Sequence, residues 1–317
     1  MFSPFVLHYN ALRIPYASQV PSIRGELSVE WKSGQKLSIG YNAVMKTQNT
    51  DLVKFTGRSP IKWVGGKSRL SSQILPLIPE HTCYVEVFGG AGWVLFRKQP
   101  SQVEILNDLD GELMNFFRVV KEKPKPLIRS FEWDLSSREE FERLRNLDPA
   151  SLDDVQRAHR FYYIIMASWG GEFGSARFQT SITDEGHGNR LISALRSAKQ
   201  RITAAHQRLQ TVIIENLDWQ ACIAKYDDPR AFLYLDPPYP RNNCNYAHNM
   251  RSMADHSALF EHLKGVKAKW LLSTYDKQEL HPFVDGYYIK KVSFPSGMSG
   301  NGWKNQEILV ANYPLGE

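Results

Sequence analysis

The chain has 317 residues, with 39 Lys+Arg against 33 Asp+Glu and a formal net charge of +6. Hydrophobic residues make up 42% and aromatic residues 12%, enough apolar material for a sizeable core, which excludes a disordered tail. No apolar run approaches the ~18 residues of a membrane span, the start MFSPFVLHYN lacks a secretory leader pattern, and Cys83, Cys222 and Cys244 are too scattered for a disulfide framework or a zinc spacing.

A reducing cytoplasm is the expected setting. The mild positive charge permits a polyanionic partner without demanding one. Residues 1–57 stand apart from the rest. Leu27, Val29 and Trp31 alternate with polar residues, and Leu37, Ile39 and Tyr41 do so again after Lys32-Ser33-Gly34-Gln35. Period two on both sides of a glycine-containing break predicts a β-hairpin. It reads either as a packing extension or as a DNA-contacting or dimerising arm.

From residue 58 short apolar runs recur: Tyr84–Phe88, Val103–Leu106, Thr211–Ile214, Ala231–Leu235, Trp270–Ser273, Tyr287–Val292 and Ile308–Ala311. Continuous rather than alternating runs predict strands buried on both faces. Helical stretches between many of them make this an α/β sheet. The last two runs lack a long helical stretch between them and are expected to pair antiparallel. The gap from Leu106 to Thr211 is too long for one crossover. It reads as mostly helical over 110–160, loop-like over 168–189, and helical again where Leu191, Leu195, Ala198, Ile202, Ala205 and Leu209 recur. Arg190, Arg196, Lys199, Arg201 and Arg208 give that last helix a basic outer side, either solvated or facing phosphates.

Two glycine clusters invite nucleotide readings. Gly66-Lys67-Ser68 would need a glycine at Ile61 to make a phosphate loop, so a nucleotide kinase is rejected. Phe88-Gly89-Gly90-Ala91-Gly92 follows a strand and is expected to open a helix, where backbone N–H groups can meet a ligand. A dinucleotide fingerprint would need glycine at Leu95. Asp108 stands ~20 residues further on, at the next strand's end, where an acid can accept ribose hydroxyls. Together these describe a pocket for an adenosine-containing ligand without a pyrophosphate.

Asp236-Pro237-Pro238-Tyr239 is the sharpest feature. The prolines fix φ and offer no N–H. The Asp236 carboxylate and the Pro237 carbonyl then present two acceptors to an exocyclic amine, and Tyr239 offers a ring on which a flipped base can stack. A turn with a capping Asp is the plainer alternative.

Gly65-Gly66-Lys67, Phe88-Gly89-Gly90-Ala91-Gly92, Asn107-Asp108 and Asp236-Pro237-Pro238-Tyr239 resemble, in that order, the motifs of Dam-type (D12 class, alpha group) DNA adenine-N6 methyltransferases. Tyr246-Ala247-His248-Asn249-Met250, Asp255-His256, Ser273-Thr274-Tyr275-Asp276 and Asn305-Gln306-Glu307-Ile308-Leu309 resemble stretches of phage and prophage members. The resemblance spans roughly 58–315. It implies a Rossmann-like, mostly parallel seven-stranded sheet with a mainly helical target-recognition insertion. The chain divides accordingly into an extension at 1–57, a catalytic domain at 58–110 and 206–317, and the insertion at 111–205.

The resemblance also implies S-adenosyl-L-methionine as methyl donor and double-stranded DNA as partner. Phe88, Gly89 and Gly90 would line the cofactor site, with Asp108 on the ribose and Asp218 at the adenine amine. Lys67 would sit near the cofactor's methionine carboxylate, with Trp63 packed beside it. Asp236, Pro237, Pro238 and Tyr239 would form the catalytic site. Lys62, Arg177 and Asn189 are candidates for DNA contact, with a solvated lysine the plainer reading of Lys62. No metal and no covalent intermediate are implied, and Cys244 reads as a bystander. An Asn/Arg-rich recognition hairpin is replaced here by residues 169–178, so no recognition sequence carries over. Cytosine N4 is an alternative target amine, and an idle DNA-binding relative an alternative class. The oligomeric state is left between monomer and weak dimer.

Overall fold

A computed structural model describes the backbone pairing of residues 23–30 and 36–43, and residues 57–168, 171, 173, 176–178, 190–239, 250, 252–295 and 304–316. The chain divides into two compact units, Met1–Lys54 and Phe55–Glu317. In the first, β1 (Ile23–Glu30) and β2 (Lys36–Ala43) form an antiparallel hairpin. Leu27 stands opposite Ile39 and Val29 opposite Leu37, so the alternating apolar positions share one register.

The second unit begins with a turn-rich stretch and the short α1 (Ser71–Ile74). Strands β3 (Cys83–Glu86) and β4 (Val103–Asn107) follow, then helices α2 (Gly111–Glu122), α3 (Pro124–Ser130), α4 (Arg138–Asn146), α5 (Asp154–Ala167) and α6 (Arg190–Leu209). The chain continues through β5 (Val212–Glu215), α7 (Trp219–Tyr226), β6 (Ala231–Leu235), α8 (Met253–Leu263) and β7 (Lys269–Tyr275). It ends with α9 (His281–Val284), β8 (Tyr288–Pro295) and β9 (Lys304–Ala311).

All seven apolar runs are strands of one sheet, ordered β5-β4-β3-β6-β7-β9-β8. β5, β4, β3, β6 and β7 are parallel neighbours, while β9 pairs antiparallel with both β7 and β8. The two last runs pair as expected, and β9 inserts between its partner and the parallel body.

Both faces of the sheet are buried, which explains why the runs are continuous. Tyr84, Leu106, Phe232, Tyr234, Leu271 and Leu309 point into one cluster shared with α2, α5 and α6. Val85, Ile105, Leu233, Trp270, Leu272 and Ile308 alternate into a second, shared with α7, α8 and α9. The result is a three-layer α/β/α sandwich. No helix among the described residues is long and apolar enough to cross a membrane.

Two expectations need correction. Residues 91–98 do not form a continuous helix. Single helical bonds, Phe96 N–H to Gly92 O at 2.8 Å and Lys98 N–H to Val94 O at 2.9 Å, alternate with turns. Gly90 and Gly92 enter the segment with φ of 48° and 66°, a left-handed backbone that does not continue a right-handed helix. The α6 helix buries Leu191, Ala198, Ile202, Ala205 and Leu209 as its period requires, but Arg208 does not share the outer side with exposed Arg196 and Lys199. Arg208 turns inward to Glu104 of β4, its Nη2 donating at 2.8 Å, and also reaches the Leu95 carbonyl at 2.9 Å. Lys98 Nζ donates to the same carboxylate at 2.6 Å. Burial pushes the Glu104 carboxyl up, but Arg208 and Lys98 outweigh it and hold it below the usual carboxylate range.

This triad ties α6 to the sheet with charges that only each other's presence makes tolerable. Glu104→Ala leaves two cations buried without their partner and is expected to lower unfolding free energy by ~3–5 kcal/mol. Urea unfolding measures it, and a loss under roughly 1 kcal/mol, the size of an exposed pair, would show the triad to be solvated.

Candidate active site

Strand ends collect the site. Glu86 of β3 stands opposite Tyr234 of β6, and Val87 N–H donates to the Tyr234 carbonyl at 3.0 Å. The Phe88-Gly89-Gly90 turn and the Asp236-Pro237-Pro238-Tyr239 stretch therefore leave the sheet side by side, at the carboxyl edge where parallel sheets bind ligands.

On the glycine side, Gly89 N–H donates to the Asn107 carbonyl at 2.7 Å. A Cβ at Gly89 would lie 2.7 Å from that same oxygen, so only glycine allows this approach of β3's exit to β4. Gly90 N–H donates to Asp108 Oδ2 at 2.8 Å, and Asp110 N–H to Asp108 Oδ1 at 3.0 Å. The Trp63 ring packs on Gly90, 3.0 Å from where a Cβ would stand. Phe88 is half-buried against the α7/α8 layer. Asn107 stitches the neighbouring loops together, donating to the carbonyls of Val87 at 2.8 Å and Leu217 at 3.1 Å and accepting from Leu217 N–H at 2.9 Å. Asp218 is exposed and caps α7, accepting from Ala221 N–H at 2.9 Å.

On the other side, Lys67 is the centre. Its ammonium lies 2.7 Å from Asp236 Oδ1, donates to the Gly65 carbonyl at 3.1 Å, and stands 4.7 Å over the Tyr239 ring. Asp236 Oδ1 also accepts from Ser273 Oγ of β7 at 2.8 Å. The Tyr239 hydroxyl donates to Glu307 Oε2 of β9 at 2.6 Å, and its ring meets Tyr275 edge-on at 4.4 Å and 74°. Burial works against the Lys67 charge, yet Asp236 and Glu307 hold its pKa above the ordinary value. Burial also raises the Glu307 carboxyl, with Lys67 opposing and Asp236 adding to the rise. Tyr239 is pushed well up by burial first and by Asp236 and Glu307 next.

The sequence reading attaches a role to Lys67 but does not pair it with Asp236, and it assigns none to Ser273 or Glu307. Both lie in stretches that resemble family members, Ser273-Thr274-Tyr275-Asp276 and Asn305-Gln306-Glu307-Ile308-Leu309, without a role attached to either residue. Lys62 Nζ donates to the Met166 carbonyl at 3.0 Å, at the end of α5. Arg177 is exposed beside the bridge between Ser168 and Phe178. Asn189 and Cys244 lie outside the described residues.

The site fits an adenosine-containing cofactor by its donor and acceptor set. A carboxylate, Asp108, accepts directly from the glycine turn, and an aromatic ring, Trp63, packs on that turn. No group of three His, Cys, Asp or Glu suited to a metal occurs among the described residues.

Residues 63–293 match the family model of the D12 class N6 adenine-specific DNA methyltransferases. The match covers most of the chain, and the chain belongs to that family. The type II methyltransferase M1.LlaDCHI of Lactococcus lactis subsp. cremoris is 26% identical over 273 residues, 80% of this chain and 94% of that protein. A DNA adenine methylase of Haemophilus influenzae is 25% identical over 275 residues, 80% of this chain and 92% of that one. A DNA N-6-adenine-methyltransferase of Escherichia phage P1 is 32% identical over 111 residues, 34% of this chain and 15% of that one. The chain is thus a DNA adenine-N6 methyltransferase with S-adenosyl-L-methionine as methyl donor, and the family decides between adenine N6 and cytosine N4.

One buried acid supports the turn from behind. Glu86, 2% exposed, accepts from Leu95 N–H at 2.9 Å and from the Tyr84 hydroxyl at 3.1 Å. Burial pushes its carboxyl up to about 8. The folded chain then keeps a proton that the unfolded chain has lost above its ordinary value of 4.5. Stability from this group is therefore present below that value and is lost as pH rises toward about 8. Glu86→Gln, which cannot ionise, is expected to raise the melting temperature over wild type by an amount that grows between about pH 5 and pH 8. A difference in melting temperature that stays flat across this range would refute the assignment.

Proposed function

We propose that the chain flips an adenine out of double-stranded DNA and methylates it with Asp236, Pro237, Pro238 and Tyr239 as the catalytic group. The observation that carries this reading is the side-by-side exit of the glycine turn and Asp236 from neighbouring strands β3 and β6. A methyl donor held at one and an amine held at the other would meet at that edge. The amine must leave the base stack to reach it.

Each residue then has a part. Asp108 accepts the cofactor ribose, Phe88 to Gly90 and Trp63 line its site, and Asp218 reaches its adenine. Bound there, S-adenosyl-L-methionine supplies an electrophilic methyl group on a sulfonium. The Asp236 carboxylate and the Pro237 carbonyl accept the two N6 hydrogens and draw density onto the nitrogen. Ser273 and Lys67 hold the Asp236 carboxylate in one rotamer. The N–C bond forms as the S–C bond breaks, and the surplus N6 proton leaves through Asp236 to water. Tyr239 bears on the base ring. Positioning and fixed electrostatics supply most of the acceleration. Residues 111–205 carry target recognition, with Lys62, Arg177 and Asn189 toward DNA. The proposed setting is the cytoplasm of a bacterium or a phage-infected host, where such a DNA substrate is at hand.

The Lys67 contact changes which variant tests Asp236. Asp236→Ala removes the partner of a buried ammonium and risks the fold. Asp236→Asn keeps the shape and one acceptor. Both variants are expected to lose methyl transfer by more than about 100-fold, the scale of removing a positioned electrostatic group. Their S-adenosyl-L-methionine affinity by calorimetry is expected within a few-fold of wild type. Nucleoside mass spectrometry of treated DNA reads the N6-methyladenine, and wild-type turnover by Asp236→Asn would sink the assignment.

DNA affinity is expected to fall steeply between about 50 and 200 mM salt as lysines and arginines release counterions. A salt-independent dissociation constant in that range would remove phosphate contact from the reading.

A further inference from the structure

Glu307 is an acid in an apolar strand. It lies on β9 between Tyr275 of β7 and Val292 of β8 in register, and Ile308, Leu309, Val310 and Ala311 follow it, all buried. It is itself only 5% exposed. A carboxylate in such a place is unfavourable unless hydrogen-bonded, and packing alone would be served by one more aliphatic residue. Its partner is the Tyr239 hydroxyl at 2.6 Å.

That bond completes a cage. The Tyr239 ring has Lys67 over one face at 4.7 Å, Tyr275 against it edge-on, and Glu307 at its hydroxyl. A tyrosine ring pivots about two side-chain torsions. The face contact and the edge contact are soft, whereas a hydrogen bond of 2.6 Å to a carboxylate on a strand paired on both sides fixes the far end of the ring.

We infer that Glu307 is a positioning residue for methyl transfer: by accepting the Tyr239 hydroxyl it sets the plane of the ring that receives the flipped base, and it acts only through that ring. This rests on the reading of Tyr239 as the base-facing residue.

A double-mutant cycle tests it. Single-turnover methyl transfer to unmethylated bacterial DNA is measured for Glu307→Ala, Tyr239→Phe and the pair. Each single variant is expected to slow transfer about tenfold, as loss of one charge-assisted hydrogen bond implies, and the pair to be no slower than the worse single variant. Glu307→Gln, which still offers an oxygen to the hydroxyl, is expected to recover most of the rate. Calorimetry is expected to show the S-adenosyl-L-methionine dissociation constant unchanged within about twofold, a split between rate and binding that general misfolding would not give. If Glu307→Ala does not fold, the cycle runs with Glu307→Gln and Tyr239→Phe, and equal deficits for Glu307→Gln and Tyr239→Phe count against the proposal. Wild-type rates in Glu307→Ala, or multiplying effects in the pair, would overturn it. Tyr239→Ala separates the two levels. If that variant transfers at the wild-type rate, the base-facing reading of Tyr239 fails. If it is slow while Glu307→Ala is normal, only the positioning role fails.

Discussion

The ion pair between Lys67 and Asp236 is the constraint around which the rest of the second unit is arranged. Both partners are largely removed from water, with side-chain exposures of 7% and 18%, and they meet at 2.7 Å. Such a pair is worth holding only when its geometry is good and the remaining hydrogen-bonding positions are filled. Ser273 fills one on the acid, and the Gly65 carbonyl fills one on the base. Those four residues come from the turn before α1, the end of β6 and the middle of β7. The parallel pairing of β6 with β7, Leu235 opposite Leu272, is what brings Asp236 and Ser273 to the same edge. A different strand order would leave a buried lysine or a buried aspartate alone, at a penalty comparable with much of a domain's net stability.

The same loop serves both halves of the site. Trp63 lies on Gly90, beside the Asp108 carboxylate, and Lys67 lies on Asp236. Gly66 stands between them, and a Cβ there would come within 2.8 Å of the Trp93 ring, so the loop accepts only glycine without a shift of its neighbours. The glycine turn and Asp236 are therefore both contacted by side chains of one short stretch of backbone, residues 63–67.

The seven strands and the hairpin were legible because their signals are local. Period two in 27–41 and unbroken apolar runs elsewhere report burial on one face or two, and burial is what a strand's sequence encodes. Asp236-Pro237-Pro238-Tyr239 and the glycine turn were legible for a similar reason, since close backbone approach and a donor-free turn each restrict residue type at fixed positions. What failed needed tertiary information. Arg208 falls between the apolar positions of α6 like its solvated neighbours, and only the presence of Glu104 on β4 turns it inward. The segment 91–98 has residues that tolerate a helix, but two left-handed glycines and the pull of Glu86 on Leu95 N–H break it into turns. Lys67, Ser273 and Glu307 are separated by long stretches of chain. No periodicity links them, so their convergence on Asp236 and Tyr239 could emerge only from the sheet order.

Residues 111–205 face two demands at once. Target recognition is proposed for them, yet α2, α5 and α6 bury Phe116, Phe117, Phe161, Tyr162, Ala198 and Ile202 in the same cluster as Tyr84, Leu106 and Phe232 of the sheet. Their inner faces are therefore not free to vary with the DNA sequence to be read. A change large enough to alter a base contact would also alter a core packed to crystal-like density, where a single methylene is felt. The Glu104 triad makes this stricter still at α6, since a shift of that helix along the sheet would separate Arg208 from its carboxylate. Variation that retunes specificity without unfolding the enzyme must then fall on outward side chains and on the segments joining these helices. Exposed Arg177, within the long connection between α5 and α6, and exposed Arg196 and Lys199 on the outer side of α6 are placed where such change is tolerated. The sheet's need for a covered face thus decides which side chains of this stretch are free to vary.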